Sequence, residues 1–120
     1  TYAKAHHALG NVRVLEGQLE EAERSYETAI RLRPESVGFR LSLGQYYLRQ
    51  QSYGQAIAVL EAALRKETAS AKIHLALGEA YERIGQVDAA VQAYRSAAAV
   101  WRGDAGQLTA IEARLAQLLR

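Results

Sequence analysis

The chain has 120 residues, 49% of them hydrophobic and 23% charged, a balance that excludes a disordered chain and fits one soluble domain. It contains no cysteine, which excludes disulfides, thiol catalysis and cysteine zinc sites, and no apolar run nears the ~18 residues of a membrane span. The net charge of +2 comes from 15 cations against 13 anions, scattered without the basic runs of a nucleic-acid arm.

The first 36 residues carry the pattern on which everything else depends. Leu9, Val12 and Arg13 keep the i, i+3, i+4 spacing of one helical face, and Gly17 ends that helix. Glu20, Glu21 and Glu23 then suit the start of a second helix and its dipole. Ala22, Tyr26 and Ala29 lie at steps of four and three on one face, small beside large, so that two helices can approach closely. Pro34 stops the helix, and Ser36 is placed to cap the next one.

The pattern then recurs. Leu-Gly pairs start at residues 9, 43 and 77, a step of 34 both times. In the second unit Leu43, Tyr46 and Tyr47 form the first face, and Ala56, Leu60 and Ala63 the second. Gln51 stands where glycine is expected, at a cost of about 1 kcal/mol if its φ is positive. Ser52 and Gln55 have capping-box spacing. In the third unit Ser70 is the N-cap, Leu77, Ala80 and Tyr81 the first face, Gly85 the turn, and Ala90, Tyr94 and Ala97 the second face. The tail, DAGQLTAIEARLAQLLR, opens with another capping-box spacing, Asp104 to Gln107, and carries an apolar stripe of Leu108, Ile111, Leu115, Leu118 and Leu119. It is in register with a first helix. It is expected to cap the stack unless a further repeat follows in a longer parent protein, with Gln107, Glu112, Arg114 and Gln117 in water.

One helix pair cannot bury its apolar face alone, so consecutive pairs stack. The 34-residue period, the Leu-Gly pair, the Tyr, the turn Gly, the Ala–aromatic–Ala face and the closing Pro together resemble the tetratricopeptide repeat. The resemblance covers residues 3–36, 37–70 and 71–104, with a capping helix at 105–120. It departs at the family's early Trp, replaced by His6, Arg40 and His74, at Arg13 for the Tyr, and at Thr68 and Arg102 for the Pro. It implies an all-α fold, a right-handed α-solenoid of three helix-turn-helix repeats plus the C-terminal helix, seven helices in one domain.

The resemblance also implies a concave groove lined by the first helices. Equivalent residues then form stripes across it, and the groove residues expected are Lys4, His7, Asn11, Leu41, Gln45, Leu48, Lys72, Leu75, Glu79 and Arg83. Leu41, Leu48 and Leu75 make an apolar patch outside the helix-helix core, the usual mark of a protein contact. Of the Lys and Asn clamp by which some family members hold a chaperone's C-terminal carboxylate, only Asn11 and Lys72 have counterparts. His7, Ser42 and Ala76 stand at the other places, so that ligand is not expected. The expected function is a non-catalytic protein–protein interaction scaffold that takes a partner peptide or helix in the groove. Arg outnumbers Lys twelve to three and Ala is abundant, both with GC-rich codons, so the expected setting is a larger bacterial assembly protein. The alternative is a structural spacer or oligomerisation segment with an empty groove, self-associating through its terminal repeats.

Other readings carry less. His6 and His7 are adjacent and point about 100° apart on a helix, so they do not chelate a metal together, and the nine Gly residues form no phosphate loop; no cofactor is expected. No Ser, His and acid set stands out for catalysis. A basic stripe for RNA is interrupted at Gly38 and bordered by Glu79 and Glu82, so no nucleic acid is expected. Arg102-Gly103-Asp104 spells an adhesion tripeptide, which a helix cap explains. The chain opens at Thr1 without an initiator Met and is read as a piece of a longer protein or a mature form, which leaves its location open.

Overall fold

The structure is a computed structural model that describes residues 2–120. Among these residues there are seven helices and no strand: α1 (Tyr2–Leu15), α2 (Leu19–Leu32), α3 (Val37–Arg49), α4 (Tyr53–Lys66), α5 (Ala71–Arg83), α6 (Val87–Val100) and α7 (Ala105–Leu118). They pair as α1–α2, α3–α4 and α5–α6, and the pairs stack along one axis with α7 against α6. The body measures 45 × 24 × 24 Å. Its radius of gyration of 14.7 Å exceeds the ~13.6 Å of a compact chain this long, as a stack of layers should. No described helix is long and apolar enough to cross a membrane.

The turn inside each pair is the same. Gly17, Gln51 and Gly85 take φ of 77°, 62° and 81°. In each case that residue's amide bonds back three residues and the next amide bonds back five, as in Gly17 N to Val14 O at 3.1 Å and Gln18 N to Arg13 O at 2.8 Å. This double bond pattern satisfies the free carbonyls at the helix end and needs a left-handed residue. Gln51 is therefore strained, as its place in the repeat implies. Gln51→Gly should relieve ~1–2 kcal/mol of strain and lose ~0.4–1 kcal/mol to the freer unfolded chain. A net gain of about 0.5–1 kcal/mol, a rise of roughly 3 °C in the midpoint of thermal unfolding followed by circular dichroism, is the expected result.

The N-caps agree only in part with the sequence pattern. Ser36 Oγ accepts from the Phe39 amide at 3.2 Å and Ser70 Oγ from the Ile73 amide at 3.3 Å. Ser52 sits at the N-cap of α4 but makes no side-chain cap bond, so the Ser52–Gln55 capping box does not form. Its ψ of 67° belongs to the tight glycine-type turn, whereas Ser36 and Ser70 are extended, at ψ of 110° and 111°. Asp104 caps α7 through the Gly106 amide at 3.2 Å rather than through Gln107. Trp101 Nε1 donates to the Asp104 carbonyl, and its ring fills the place beside Gly103, so 102–104 is a helix-entry turn.

Two sets of contacts build the core. Within each pair, the Gly of the Leu-Gly motif is the seat for a bulky residue of the second helix: Tyr26 on Gly10, Leu60 on Gly44, Tyr94 on Gly78. Between pairs, tyrosines of a first helix bond the preceding second helix. Tyr46 donates to the Leu19 carbonyl at 2.8 Å, Tyr47 to Glu23 Oε1 at 2.6 Å and Tyr81 to Glu61 Oε2 at 2.7 Å. Leu43 and Leu77 are buried at 4% and 3% exposure under that helix. Among the described residues no helix precedes α1, and there their counterpart Leu9 is 38% exposed and Val12 47% exposed, where Tyr46 and Ala80 are 5% and 0%.

Candidate functional site

A cleft of about 590 Å³ opens on the face built from the first helices, toward the C-terminal end. Leu48 of α3, Leu75, Glu79, Glu82 and Arg83 of α5, and Gln107, Ala110, Ile111 and Arg114 of α7 line it, with Tyr53 and Tyr94 reaching in from the second helices. The local sequence explains this geometry. Leu75, Glu79, Glu82 and Arg83 recur at steps of four, three and one, so one face of α5 forms the wall. Ile111, buried against Ala90 and Tyr94, sets α7 across the end.

Of the groove residues expected from the sequence, Leu48, Leu75, Glu79 and Arg83 come together in this cleft. The others lie outside it. His7 Nε2 shares a hydrogen bond with Ser42 Oγ at 2.7 Å, and its ring stacks on Phe39 at 4.9 Å between centroids. It is thereby a link between α1 and α3, and burial holds its imidazole below the usual histidine range. Asn11 Oδ1 accepts from the Tyr26 hydroxyl at 2.6 Å. Lys4, Gln45 and Lys72 are exposed, and Leu41 is half-buried away from the cleft. The expectation that the three leucines stand clear of the core needs correction. Leu41 and Leu48 pack against the central hydrophobic cluster, and Leu75 against the cluster of Ala90, Tyr94 and Ile111. Each sits on the flank of its helix, between the groove face and a neighbour.

Sequence reasoning missed Tyr53, Tyr94 and the α7 residues. Arg114, expected in water, forms an ion pair with Glu82 across the cleft end. The register of α7 as a fourth first helix does not find the α7 residues as groove positions, because Gln107, Ala110, Ile111 and Arg114 stand 34 residues after Ile73, Ala76, Leu77 and Ala80, the buried face of α5.

The charges of the cleft are unequally satisfied. Glu82 accepts from the Tyr94 hydroxyl at 3.0 Å and pairs with Arg114. Glu79 has no hydrogen bond or ion pair with any described residue. Desolvation by the cleft walls raises its carboxyl above the usual carboxylate range, and the Arg83 charge offsets this in part. Burial raises the Tyr94 phenol to about 12, the Glu79 charge adds to the rise, and Arg83 opposes it. Among the described residues, no three His, Asp or Glu side chains gather as a metal site. His6 lies against the Tyr2 ring and His74 Nε2 bonds the Thr68 carbonyl.

The family model described as tetratricopeptide repeat matches residues 7–67 and 43–106. No curated protein sequence matches the chain. Among solved structures, two of MamA are similar. One is 26% identical with a TM-score of 0.78, over 82% of this chain and 54% of that one. The other is 28% identical with a TM-score of 0.72, over 76% and 53%. The chain thus spans about half the length of these MamA structures. The type III secretion chaperone SycD of Yersinia enterocolitica, in complex with a peptide of the translocator YopD, has a TM-score of 0.82 at 16% identity, over 97% of this chain and 88% of that one. PcrH, in complex with the chaperone binding region of PopD, has a TM-score of 0.79 at 20% identity, over 97% and 86%. SycD and PcrH share the fold. The helix pairs, their common turn and a match that runs from residue 7 to residue 106 lead to one conclusion: the chain belongs to the tetratricopeptide repeat family.

Proposed function

We propose that the protein is a non-catalytic scaffold that binds a peptide or helical segment of a partner protein on the face of its first helices, within a larger bacterial assembly protein. The observation that carries this is the cleft itself: about 590 Å³, walled by half-buried leucines and edged by polar groups. Apolar surface of this kind holds a segment through a few anchor side chains. SycD and PcrH, each described in complex with a segment of another protein, show that this fold can serve such a use. A site built on helices rather than loops lowers the entropy cost of binding for the scaffold.

The test plugs the cleft without touching the core. Ala110 is exposed on α7 and lines the cleft, so Ala110→Trp places an indole in it. Short peptides selected from a random library on the native chain should bind the Trp variant at least about tenfold more weakly. The melting midpoint should stay unchanged, and Arg95→Glu on a second helix should bind like the native chain. Equal binding by the plugged variant moves the interaction to another face.

A second reading has its own observation. Leu9 and Val12 of α1 are exposed where their counterparts in α3 and α5 are covered by a preceding helix. Under the spacer alternative this surface carries the contact with a neighbouring repeat or a second copy, and the cleft selects no peptide.

A further inference from the structure

We propose that α7 is a latch on the cleft: it opens and closes as a unit while the three helix pairs stay folded, the Arg114–Glu82 ion pair biases it toward the closed state, and a segment bound in the cleft holds it shut. This rests on the scaffold reading and names how the same site is regulated.

The docking face of α7 is weaker than the faces it repeats. Phe39, Leu43 and Tyr46 of α3, and Ile73, Leu77 and Ala80 of α5, are all at 9% exposure or less. In the same register α7 carries Gln107, Ile111 and Arg114. Ile111 is buried, whereas Gln107 and Arg114 are exposed. The tyrosine tie is missing as well. Tyr47 and Tyr81 donate to Glu23 and Glu61 of the second helix before them, and α7 has Leu115 at that place. Two of the three apolar contacts and the hydrogen bond that fix α3 and α5 are therefore absent from α7. An ion pair stands in for them. Arg114 Nε donates to Glu82 Oε1 at 3.0 Å, and the Tyr94 hydroxyl holds that carboxylate from α6. The pair runs to α5 across the end of the cleft, so one contact both docks α7 and closes the cleft. The Arg114 side chain is 47% exposed, so salt screens the pair.

The fold lets α7 leave alone. Its entry turn is self-contained: Trp101 Nε1 donates to the Asp104 carbonyl, and Asp104 Oδ1 accepts from the Gly106 amide. Each layer of a stack touches only its neighbours, so an opening at α7 does not spread through the helix pairs. A 14-residue helix without a packing partner is marginal in water, so the open α7 unwinds and exposes its amides. Opening also takes Gln107, Ala110, Ile111 and Arg114 out of the cleft. A segment that touches those residues binds the closed state, and by linkage it shifts the balance toward that state.

Amide exchange of the intact 120-residue chain reads the latch without any peptide. Protection of the α7 amides should be at least about tenfold lower than that of α3 to α5, and added salt should lower it by a further two- to fivefold or so in α7 alone. Arg114→Gln should give α7 the same loss at low salt and abolish its response to salt. Gln107→Ile restores the residue type of Ile73 and should raise α7 protection by at least about threefold. Short peptides selected from a random library on the native chain should raise it too when they saturate the cleft. Two outcomes overturn the latch and leave the scaffold reading standing: α7 protection equal to that of α5 and unmoved by salt or by Arg114→Gln, or peptides that the Ala110→Trp plug excludes but that leave α7 exchange unchanged. Peptides that bind the plugged variant undiminished overturn the scaffold reading and the peptide's part in closing α7, while exchange of the free chain still decides whether α7 opens alone.

Discussion

Replacing Gly44 by Ala should lower the thermal midpoint by roughly 10 °C, about 2–3 kcal/mol, although Ala is the better helix former. In an open helix position the change gains about 0.5–1 kcal/mol. At Gly44 the added Cβ falls 2.6 Å from both Cγ and Cδ2 of Leu60. Leu60 is fully buried, and Cγ is its branch point, so the clash cannot be relieved by swinging a free end. Either α3 and α4 separate or Leu60 leaves its rotamer, and both loosen the centre of the stack. Gly54→Ala is the internal control. Gly54 lies in α4 with nothing within 4 Å of the new methyl. That variant should be stabilised by about 0.5 kcal/mol. Chemical denaturation of the two variants should therefore give shifts of opposite sign. A Gly44→Ala protein as stable as Gly54→Ala would show that the helix pair does not close on the glycine.

The contrast between these glycines also marks where sequence reading stops. The 34-residue step, the Ala–large–Ala face of each second helix and the turn positions are one-dimensional periodicities, and they led to the right helices and pairing. Even Gln51 follows, since a repeat requires the same turn where Gly17 and Gly85 make it. The partner of Gly44 does not follow. Leu60 is sixteen residues away on the facing helix, and helical spacing fixes which face a residue occupies but not what meets it. The Ser52 cap failed for a related reason. Its sequence spacing is that of a capping box, but the shared turn holds the backbone away from the extended geometry that Ser36 and Ser70 adopt.

The candidate cleft was legible to a similar depth. Stripes of equivalent first-helix positions led to Leu48, Leu75, Glu79 and Arg83, which share the cleft. The same stripes included His7 and Asn11, which the fold engages with Ser42 and Tyr26. Hydrogen bonds between elements distant in sequence decide which stripe members stay available, and a repeat alignment carries no record of them. Tyr53 and Tyr94 were missed because they come from second helices, at the border between core and groove.

Ile111→Asp should produce the other large effect, on stability, association and binding together. Ile111 is the buried residue of α7, 5% exposed, and seats the helix on Ala90 and Tyr94. Its burial is worth about 1.5–3 kcal/mol, and a carboxylate in its place adds a desolvation penalty, so α7 should undock. Because each layer of a stack touches only its neighbours, the damage should stay at this end. Amide exchange should accelerate through α7 and the outer face of α6, while α1 to α4 keep their protection. The uncovered Tyr94, Ala90 and Tyr81 surface should make the chain self-associate in sedimentation experiments, and deleting residues 105–120 should act alike. Glu112 marks a difference between α7 and the earlier first helices. It stands 34 residues after Gly78, where each earlier first helix has the glycine that seats a bulky partner, so another second helix would meet a charged side chain there. Undocking also removes Gln107, Ala110, Ile111 and Arg114 from the cleft and frees Glu82 from its ion pair. Peptide binding should then fall by at least about tenfold, as in the plugged Ala110→Trp variant. A monomeric Ile111→Asp chain with native midpoint and native peptide affinity would show that α7 neither caps the stack nor walls the cleft.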